Sequence, residues 1–343
     1  MPMGSLSPLY LKHVFLVPFL LFLHMGTKKE DKKYEIATWY QFKDAAVSYT
    51  FDDNCKNQLD VALPLFDRHR FKATFFTVTN WAPHWPLLRA ASLNGHEVAS
   101  HSMSHPNLPS LSYEDQEAEL KKSRQVIDSM IPDAHCTTIA YPFCSKSATN
   151  LTARYYIGAR TCQGVVEPKT PKDFYGISSI VLGTKGAFQK AAELNEKVEE
   201  ARTQKGWCTF LLHGIDDDGG YSPFSSQELD IHLSYLRTHA GSFWVAPFGD
   251  VLKYIKERDA LSLVERNISP DSLQLEVTDS LDNAVFHVPI TLRRTLPEGW
   301  QTPSVFVKGK PILFAVVMEK GSSFLQFDVV PDQGPFLLCN CKK

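Results

Sequence analysis

The sequence predicts an α/β fold in which a (β/α) barrel is followed by a small antiparallel β-sandwich. Between about residues 38 and 258 of the 343-residue chain, short β-rich runs alternate with helical runs, which is the pattern of βα units built on parallel strands. After Asp259 the β-rich runs continue with no helical run between them, as in an antiparallel sandwich. Hydrophobic residues make up 43% of the chain, which is enough to bury a core in both parts.

Seven strands and six helices are expected in the barrel. The strands are predicted at Ala45–Phe51, Ala73–Val78, Glu97–His101, Thr137–Tyr141, Tyr156–Ala159, Cys208–Leu212 and Ser242–Ala246. The helices are predicted at Asn57–His69, Pro86–Leu93, Tyr113–Met130, Ala187–Thr203, Gln227–Arg237 and Asp250–Glu257. Ser225 and Glu228 have the spacing of a capping box that opens the fifth helix. This run of units favours a barrel over two doubly wound halves, and the glycine fingerprints of dinucleotide and phosphate loops are absent from the sequence.

Further strands are expected after the barrel, separated by turn-forming segments rich in Asp, Ser, Pro and Gly. They are predicted at Leu261–Val264, Leu273–Val277, Val285–Leu292, Val305–Val307, Ile312–Met318 and Phe324–Val330. We therefore expect a barrel domain over residues 27–260 and a β-rich accessory domain over residues 261–343.

Residues 1–26 are predicted to be a signal peptide. Lys12 precedes an apolar run from Val14 to Leu23, whose 10 residues suit the hydrophobic region of an export signal. A spanning helix needs about 20 apolar residues, and no other segment is long and apolar enough to cross a bilayer. A buried helix or strand is the alternative for this run. We expect a secreted or periplasmic protein, cleaved near Gly26.

Charge and cysteine content narrow the classes of partner. The chain has 36 Lys and Arg and 38 Asp and Glu, so its net charge of −2 offers no excess positive charge to a phosphate backbone. We therefore expect no nucleic-acid partner. The 7 cysteines do not form a cysteine-rich zinc knuckle, and the sequence leaves open whether they pair after export.

Two adjacent carboxylates, Asp52 and Asp53, follow the first predicted barrel strand. At the carboxyl end of a barrel strand, such residues lie at the mouth where active sites are built. Successive residues of a strand point to opposite faces, so both carboxylates serve one site only if the strand ends and the chain turns at Asn54. A solvated Asp-Asp-Asn turn is the alternative.

Three histidines also follow predicted strands or end them. His101 and His105 are four residues apart and converge on one cation if the residues between them form a helical turn. Histidine combined with carboxylate is ordinary ligation for zinc. His213 directly follows the predicted strand Cys208–Leu212, and taken singly it could be a core or surface histidine. Three polar clusters at the carboxyl ends of separate strands favour one shared site.

Four segments of the chain match the motifs of a known family. They resemble those of the polysaccharide deacetylases of carbohydrate esterase family 4, which share the NodB-homology domain. The resemblance covers roughly residues 43 to 258, and the order and spacing of the motifs agree. It implies a distorted (β/α) barrel that removes acetyl groups from sugars with one divalent metal ion, most often zinc. The matching segments are Thr50-Phe-Asp-Asp53, His101-Ser-Met-Ser-His105, Ala140-Tyr-Pro-Phe143 and Leu211-Leu-His213.

The resemblance also implies a role for each matching residue. Asp53, His101 and His105 would be the metal ligands, leaving an open position where the cation holds the attacking water and lowers its pKa. Asp52 would be the general base, and His213 the general acid that protonates the leaving amine or alcohol.

Substrate contacts are expected from the third motif and from the loop that follows His213. Tyr141, Pro142 and Phe143 come from the motif, and a backbone amide near Phe143 would bind the oxyanion by the same resemblance. Four aromatic rings are candidates for stacking on sugar rings at the barrel mouth, with core packing or chance exposure as the alternative for each: Trp81, Trp85, Tyr141 and Tyr221.

Two departures from the family pattern bear on this prediction. Ala140 stands where the family usually has an arginine that pairs with the catalytic base, so any tuning of Asp52 must come from elsewhere. The aspartate and tryptophan motif that usually supports the catalytic histidine is not found in the sequence. Asp173 is the nearest candidate, and a loop carboxylate is the alternative for it.

We therefore predict a divergent, secreted, metal-dependent deacetylase that acts on N- or O-linked acetyl groups of a polysaccharide or oligosaccharide. The alternative is a catalytically impaired carbohydrate-binding protein that retains the barrel. The presence together of candidate ligands, base and acid argues against this alternative.

Overall fold

A computed structural model describes residues 33–132 and 134–341 of the chain, so the predicted signal peptide, residues 1–26, lies outside the described residues. The first strands are β1 (Tyr34–Ile36), β2 (Ala45–Asp52), β3 (Thr74–Thr77), β4 (Glu97–Ser100), β5 (Thr138–Ala140), β6 (Gly158–Arg160), β7 (Ile180–Val181), β8 (Trp207–Leu212) and β9 (Phe243–Val245). The helices are α1 (Leu63–His69), α2 (Trp85–Leu93), α3 (Tyr113–Met130), α4 (Thr149–Thr152), α5 (Ala191–Gln204), α6 (Ser226–Thr238) and α7 (Phe248–Ala260). No described helix combines the length and the hydropathy that crossing a bilayer requires.

Strands β2 to β9 form one parallel, curled sheet in the order β6-β5-β4-β3-β2-β8-β7, with β9 beside the start of β2. A parallel bridge between Arg160 and Ile177 connects the end of β6 to the segment that leads into β7. This architecture confirms the predicted distorted (β/α) barrel. The sequence pattern did not indicate β7, because two residues are too few to show a periodicity.

Strand β2 is buried along its whole length, and its alternation decides where Asp52 points. Val47, Tyr49 and Phe51 pack in the apolar core beneath the surrounding helices. Ser48 lies on the opposite face, where it bonds the carbonyl of Ala246 inside the barrel. Because side chains alternate along a strand, Asp52 shares the face of Ser48 and points into the barrel interior.

The C-terminal residues form antiparallel sheets, as the sequence predicts. Their strands are β10 (Ser262–Ser269), β11 (Ser272–Thr278), β12 (Ile290–Thr295), β13 (Pro303–Val307), β14 (Lys310–Pro311), β15 (Phe314–Glu319), β16 (Ser322–Val329) and β17 (Phe336–Asn340). In the described part of the chain, one sheet has the order β10-β11-β17-β13-β14 and the other β1-β12-β16-β15. Leu275, Leu292 and Leu338 belong to the core that these sheets share. The second sheet therefore includes β1, a strand that precedes the barrel in the chain. The domain boundary near residue 260 stays a prediction.

One of the two hydrogen bonds of the predicted capping box at the start of α6 is present, and the other is not. Ser225 accepts a hydrogen bond from the backbone amide of Glu228, as expected for a cap (3.4 Å). The Glu228 carboxylate, however, accepts from the amide of Ala191 at the start of α5 (2.8 Å). Helix packing therefore offers Glu228 an N-terminal amide of α5 that has no partner within its own helix, and the carboxylate joins two helices.

Candidate active site

The carboxyl ends of β2, β4 and β8 meet at one mouth of the barrel. Asp52 is the last residue of β2, His101 directly follows β4, and His213 directly follows β8. A cavity of about 440 Å³ opens between them. Its lining residues are Asp52, Asp53, His101, His105, Tyr141, Phe143, Cys144, Cys162, Val181, Leu211, His213 and Tyr221. The structure thus brings together the residues for which the sequence predicts ligand, base and acid roles.

A left-handed turn places Asp52 and Asp53 in one site. Asp53 and Asn54 have φ angles of 72° and 52°, which end the strand abruptly. The side-chain amide of Asn54 holds this turn in place, because it donates to the carbonyl of Val78 (2.9 Å) and accepts from the amide of Val78 (3.2 Å). Asparagine tolerates this backbone region better than most residues, so the Asp-Asp-Asn order suits the turn.

The segment between His101 and His105 is not helical, so the two histidines converge without the helical turn that the sequence analysis gave as the condition. Ser102 and His105 have φ angles of 65° and 61°. The buried carboxylate of Glu119 on α3 organises this loop, since it accepts hydrogen bonds from the amides of Met103 and Ser104 (2.9 Å each). A carboxylate that bonds successive loop amides can replace the internal bonds of a helical turn. Glu119 is therefore a positioning residue that the sequence pattern did not indicate.

Asp53, His101 and His105 form a donor set that fits a divalent cation. The Nε2 atoms of His101 and His105 each lie 3.4 Å from Oδ1 of Asp53. One ligand atom from each residue lies within 4.8 Å of the others. Nδ1 of His101 donates to the carbonyl oxygen of Ala140 (2.8 Å), which leaves the Nε2 lone pair directed toward Asp53. Two imidazole nitrogens and a carboxylate are the ligands of many zinc sites with an open position.

The charges around Asp53 favour its ionised form. Burial by itself raises the pKa of this carboxyl, but interaction with His101 and the charges of His213 and His105 outweigh it and lower the pKa. For His101, burial lowers the pKa, and the nearby charges of Asp52 and Asp53 outweigh that effect and raise it. The site therefore attracts positive charge, as a cation site requires.

Arg160 pairs with Asp52 inside the barrel. The Arg160 side chain is fully buried at the end of β6, and its Nη2 contacts Oδ2 of Asp52. Its guanidinium lies over the ring of Phe76, with 5.3 Å between Cζ and the ring centroid. Oδ1 of Asp52 has no hydrogen-bond partner among the described residues. One oxygen of Asp52 is thus held by Arg160, while the other remains available at the cavity.

The arginine that is missing at position 140 comes from the neighbouring strand. Ala140 on β5 and Arg160 on β6 are direct partners in the parallel sheet. Arg160 therefore reaches Asp52 from the strand position beside Ala140. The only sequence signal for it is an arginine that directly follows the predicted strand Tyr156–Ala159.

His213 lies on the other side of Asp53, with 3.9 Å between its Nε2 and Oδ2 of Asp53. Burial lowers the pKa of His213, and the charges of Asp52 and Asp53 offset part of that effect. Nδ1 of His213 is buried and has no hydrogen-bond partner among the described residues. Asp173 does not support it, since its carboxylate pairs with Lys146 instead (2.5 Å).

Three exposed aromatic rings surround the polar centre. Phe143 is 66% exposed and its ring centroid lies 4.7 Å from that of His105, while Trp81 is 46% exposed and lies 5.0 Å from His105. Tyr221 is 49% exposed and lies 5.0 Å from the ring of His213. Flat apolar rings around a polar centre suit the faces of sugar rings.

Tyr141 and Pro142, the other two substrate contacts predicted from the third motif, lie beneath this surface. Tyr141 is fully buried, and its hydroxyl donates to Oγ1 of Thr152 (3.1 Å). Pro142 is also buried and begins the short turn that carries Phe143. Of the third motif, Phe143 therefore presents its side chain to solvent.

Four of the cysteines form two disulfides. The sequence alone leaves open whether the cysteines pair. Cys144 pairs with Cys162 at the rim of the cavity, and Cys339 pairs with Cys341 in the C-terminal sheets. The remaining cysteines, Cys55, Cys136 and Cys208, are free.

Comparison with known proteins assigns residues 40–161 to the polysaccharide deacetylase family. Over 321 residues the chain is 27% identical to a gellan lyase from a Bacillus species, an alignment that covers 88% of this chain and 13% of that protein. Over 126 residues it is 31% identical to a chitooligosaccharide deacetylase from Sinorhizobium fredii, which covers 36% of this chain and 59% of that protein. The chain therefore spans less than two thirds of either relative.

A solved structure shares the barrel fold. A crystal structure from Mycobacterium smegmatis, of a protein assigned to the polysaccharide deacetylases, aligns with 64% of this chain and 93% of its own, with a TM-score of 0.50 and 15% identity. At that identity the similarity shows the fold alone. The family match, together with the parallel barrel that contains it, identifies residues 40–161 as a polysaccharide deacetylase region of the NodB-homology type.

Proposed function

We propose that this protein is a metal-dependent carbohydrate deacetylase that removes N- or O-linked acetyl groups from a polysaccharide or oligosaccharide. The observation that carries the proposal is the convergence of Asp53, His101 and His105 beside the Asp52–Arg160 pair and His213. The family match supports the reaction class. The chitooligosaccharide deacetylase relative supports an acetylated amino sugar as substrate.

We infer that Asp53, His101 and His105 hold one divalent cation, with zinc as the first choice for this nitrogen and oxygen donor set. When bound, the cation supplies Lewis-acid chemistry, because it polarises the acetyl carbonyl and lowers the pKa of water. Asp53 contributes the negative charge of the site, and the bond from His101 to the Ala140 carbonyl fixes the orientation of that imidazole.

Asp52 acts as the general base. Arg160 holds Oδ2 of Asp52 and balances the charge of this buried carboxylate. Oδ1 then takes a proton from the attacking water, since it is not engaged by any described residue. Arg160 also keeps the Asp52 carboxylate from turning, so the direction of proton transfer is set before the substrate binds.

His213 acts as the general acid and the aromatic rim binds the sugar. His213 follows β8, the strand directly beside β2 and Asp52, and donates a proton to the leaving amine or alcohol. This step matters most for an amide, whose nitrogen leaves poorly without a proton. Phe143, Trp81 and Tyr221 stack on sugar faces around the acetyl group. A backbone amide at Phe143 stabilises the developing oxyanion.

We also propose that the protein works outside the cytoplasm. The Cys144–Cys162 and Cys339–Cys341 disulfides support this location, because such bonds persist in oxidising compartments. The gellan lyase relative does not suggest lyase activity, since the aligned region is 13% of that protein.

Two substitutions test the proposal. Asp52→Asn should keep the bound metal and lose turnover, whereas Asp53→Ala should lose both. The measurement is metal content of the purified protein alongside acetate release from chitin oligomers, xylan and peptidoglycan. Full deacetylation by Asp52→Asn would show that the base is wrongly assigned. Bound metal with no acetate from any polymer would favour the carbohydrate-binding alternative.

A further inference from the structure

The rim of the cavity carries a disulfide that no step of the proposed reaction uses. Cys144 follows Phe143 in the turn after β5, and Cys162 lies two residues beyond Arg160, which ends β6. Both cysteines line the cavity and are half-buried, so a small reductant can reach the bond. The disulfide therefore ties together two segments that carry, respectively, a rim aromatic and the partner of Asp52.

The turn that carries Phe143 has an unfavourable backbone conformation. Phe143 and Cys144 have φ angles of 55° and 56°, a region that is disfavoured for residues with a Cβ atom. The amides of Cys144 and Ser145 donate to the carbonyls of Tyr141 and Pro142 (3.0 Å each). Since the Phe143 ring is largely exposed, packing contributes little to holding the turn. Such strained residues persist when the surroundings constrain them, and here the disulfide is the covalent constraint.

The Cys144–Cys162 disulfide lies between two contacts that matter for the proposed reaction. On one side, the Phe143 ring meets the ring of His105 at 4.7 Å. On the other, the strands are joined where the amide of Tyr141 donates to the carbonyl of Arg160 (3.1 Å), and Arg160 pairs with Asp52. Loss of the disulfide would therefore free the turn that carries Phe143, while the strand pairing and the contact with Asp52 still hold Arg160.

The metal donor set depends on different supports. Asn54 holds the turn of Asp53, and Glu119 holds the loop between His101 and His105. The Ala140 carbonyl that orients His101 belongs to β5 and not to the turn that the disulfide holds, and none of these contacts involves the disulfide. Metal binding and rim geometry are thus separable by experiment.

We propose that the Cys144–Cys162 disulfide is a positioning element of the deacetylase site, and that its reduction lowers turnover without releasing the metal. This inference rests on the proposed function. With a phosphine reductant the S–S bond accepts two electrons and breaks, the phosphine becomes a phosphine oxide by taking oxygen from water, and the two protons of that water complete the thiols. The freed turn lets Phe143 leave His105, so the acetyl group is placed less well for attack.

The test compares two double variants with the wild-type protein, all loaded with metal. Cys144→Ser/Cys162→Ser should lower kcat by about tenfold or more with unchanged metal content, because small misplacements at a reacting centre are costly. Cys339→Ser/Cys341→Ser is the matched control and should keep the wild-type kcat. Treatment of the wild-type protein with tris(2-carboxyethyl)phosphine should reproduce the loss, and reoxidation should restore turnover.

A second readout does not depend on catalysis. Hydrogen exchange measured by mass spectrometry should show lost protection in peptides covering residues 142–148 after reduction, with peptides covering residues 101–105 unchanged. A kcat that survives loss of the bond, equal losses in both double variants, or release of the metal on reduction would overturn the inference. If the Cys144→Ser/Cys162→Ser protein does not fold, the phosphine-treated wild-type protein supplies the comparison. Absence of acetate release from the oxidised wild-type protein would instead overturn the proposed function, and this inference with it.

Discussion

Replacement of Arg160 by methionine tests the buried partner of Asp52. The Arg160 side chain is fully buried, and Asp52 is 2% exposed. Methionine keeps much of the apolar stem but leaves a buried carboxylate without its counter-charge. Removal of one partner of a buried ion pair costs about 3–5 kcal/mol, which is a large part of the roughly 5–15 kcal/mol that stabilises a typical domain. We expect Arg160→Met to lower the free energy of unfolding by that amount.

Two assays separate this loss of stability from a loss of function. Urea unfolding measures the free energy, and acetate release at a temperature where the variant is still folded measures turnover. Turnover should fall by about 10²-fold or more, which is the range that a positioned general base contributes. Metal content should stay at the wild-type level, because Asp53, His101 and His105 do not pair with Arg160.

Arg294→Met is the matched control for a lost buried ion pair. Arg294 pairs with Glu265 in the C-terminal sheets, and their side chains are 11% and 8% exposed. This variant should lose stability of a similar order and keep wild-type turnover. If Arg160→Met also kept wild-type turnover, the Arg160 side chain would have a structural role only. Its proposed role in holding Asp52 as the general base would then be refuted.

Two further changes test other parts of the molecule. Burial raises the pKa of Glu257 in α7 from 4.5 to about 8, so the folded protein retains a proton that the unfolded chain releases, and stability should fall as pH rises from about 5 to 8. Glu257→Gln should remove this fall. Between pH 4 and pH 9, the free energy of unfolding measured with urea should therefore drop by about 3–5 kcal/mol less in the variant than in the wild type. Parallel curves of unfolding free energy against pH for the two proteins would contradict this prediction. Tyr221→Ala should raise KM for acetylated oligosaccharides about tenfold with little change in kcat, because a stacking surface is lost. Tyr113→Ala, at an exposed ring on α3, is the control, and an unchanged KM in Tyr221→Ala would count against a substrate contact.

The sequence by itself determined the barrel and the positions of its polar strand ends. Strands β2, β4 and β8 are short β-rich runs, a signal that lies within a few neighbouring positions. Since parallel strands of one barrel place their carboxyl ends at the same mouth, the positions of Asp52, His101 and His213 along the chain were enough to bring them together. The short β7 and the late start of β12 were not predictable in this way, because few residues define them.

Only the tertiary structure decided what holds those residues in place. Asp52 and Arg160 are 108 positions apart in the sequence. They meet because β5 pairs with β6 in a register that places Arg160 beside Ala140. Glu119 reaches the loop after His101 from a helix, and Cys144 meets Cys162 across two strand ends. Each of these contacts depends on the register of strands or the packing of a helix on the sheet. A local sequence pattern carries no record of such pairing, because the same arginine, glutamate or cysteine would suit an exposed surface equally well.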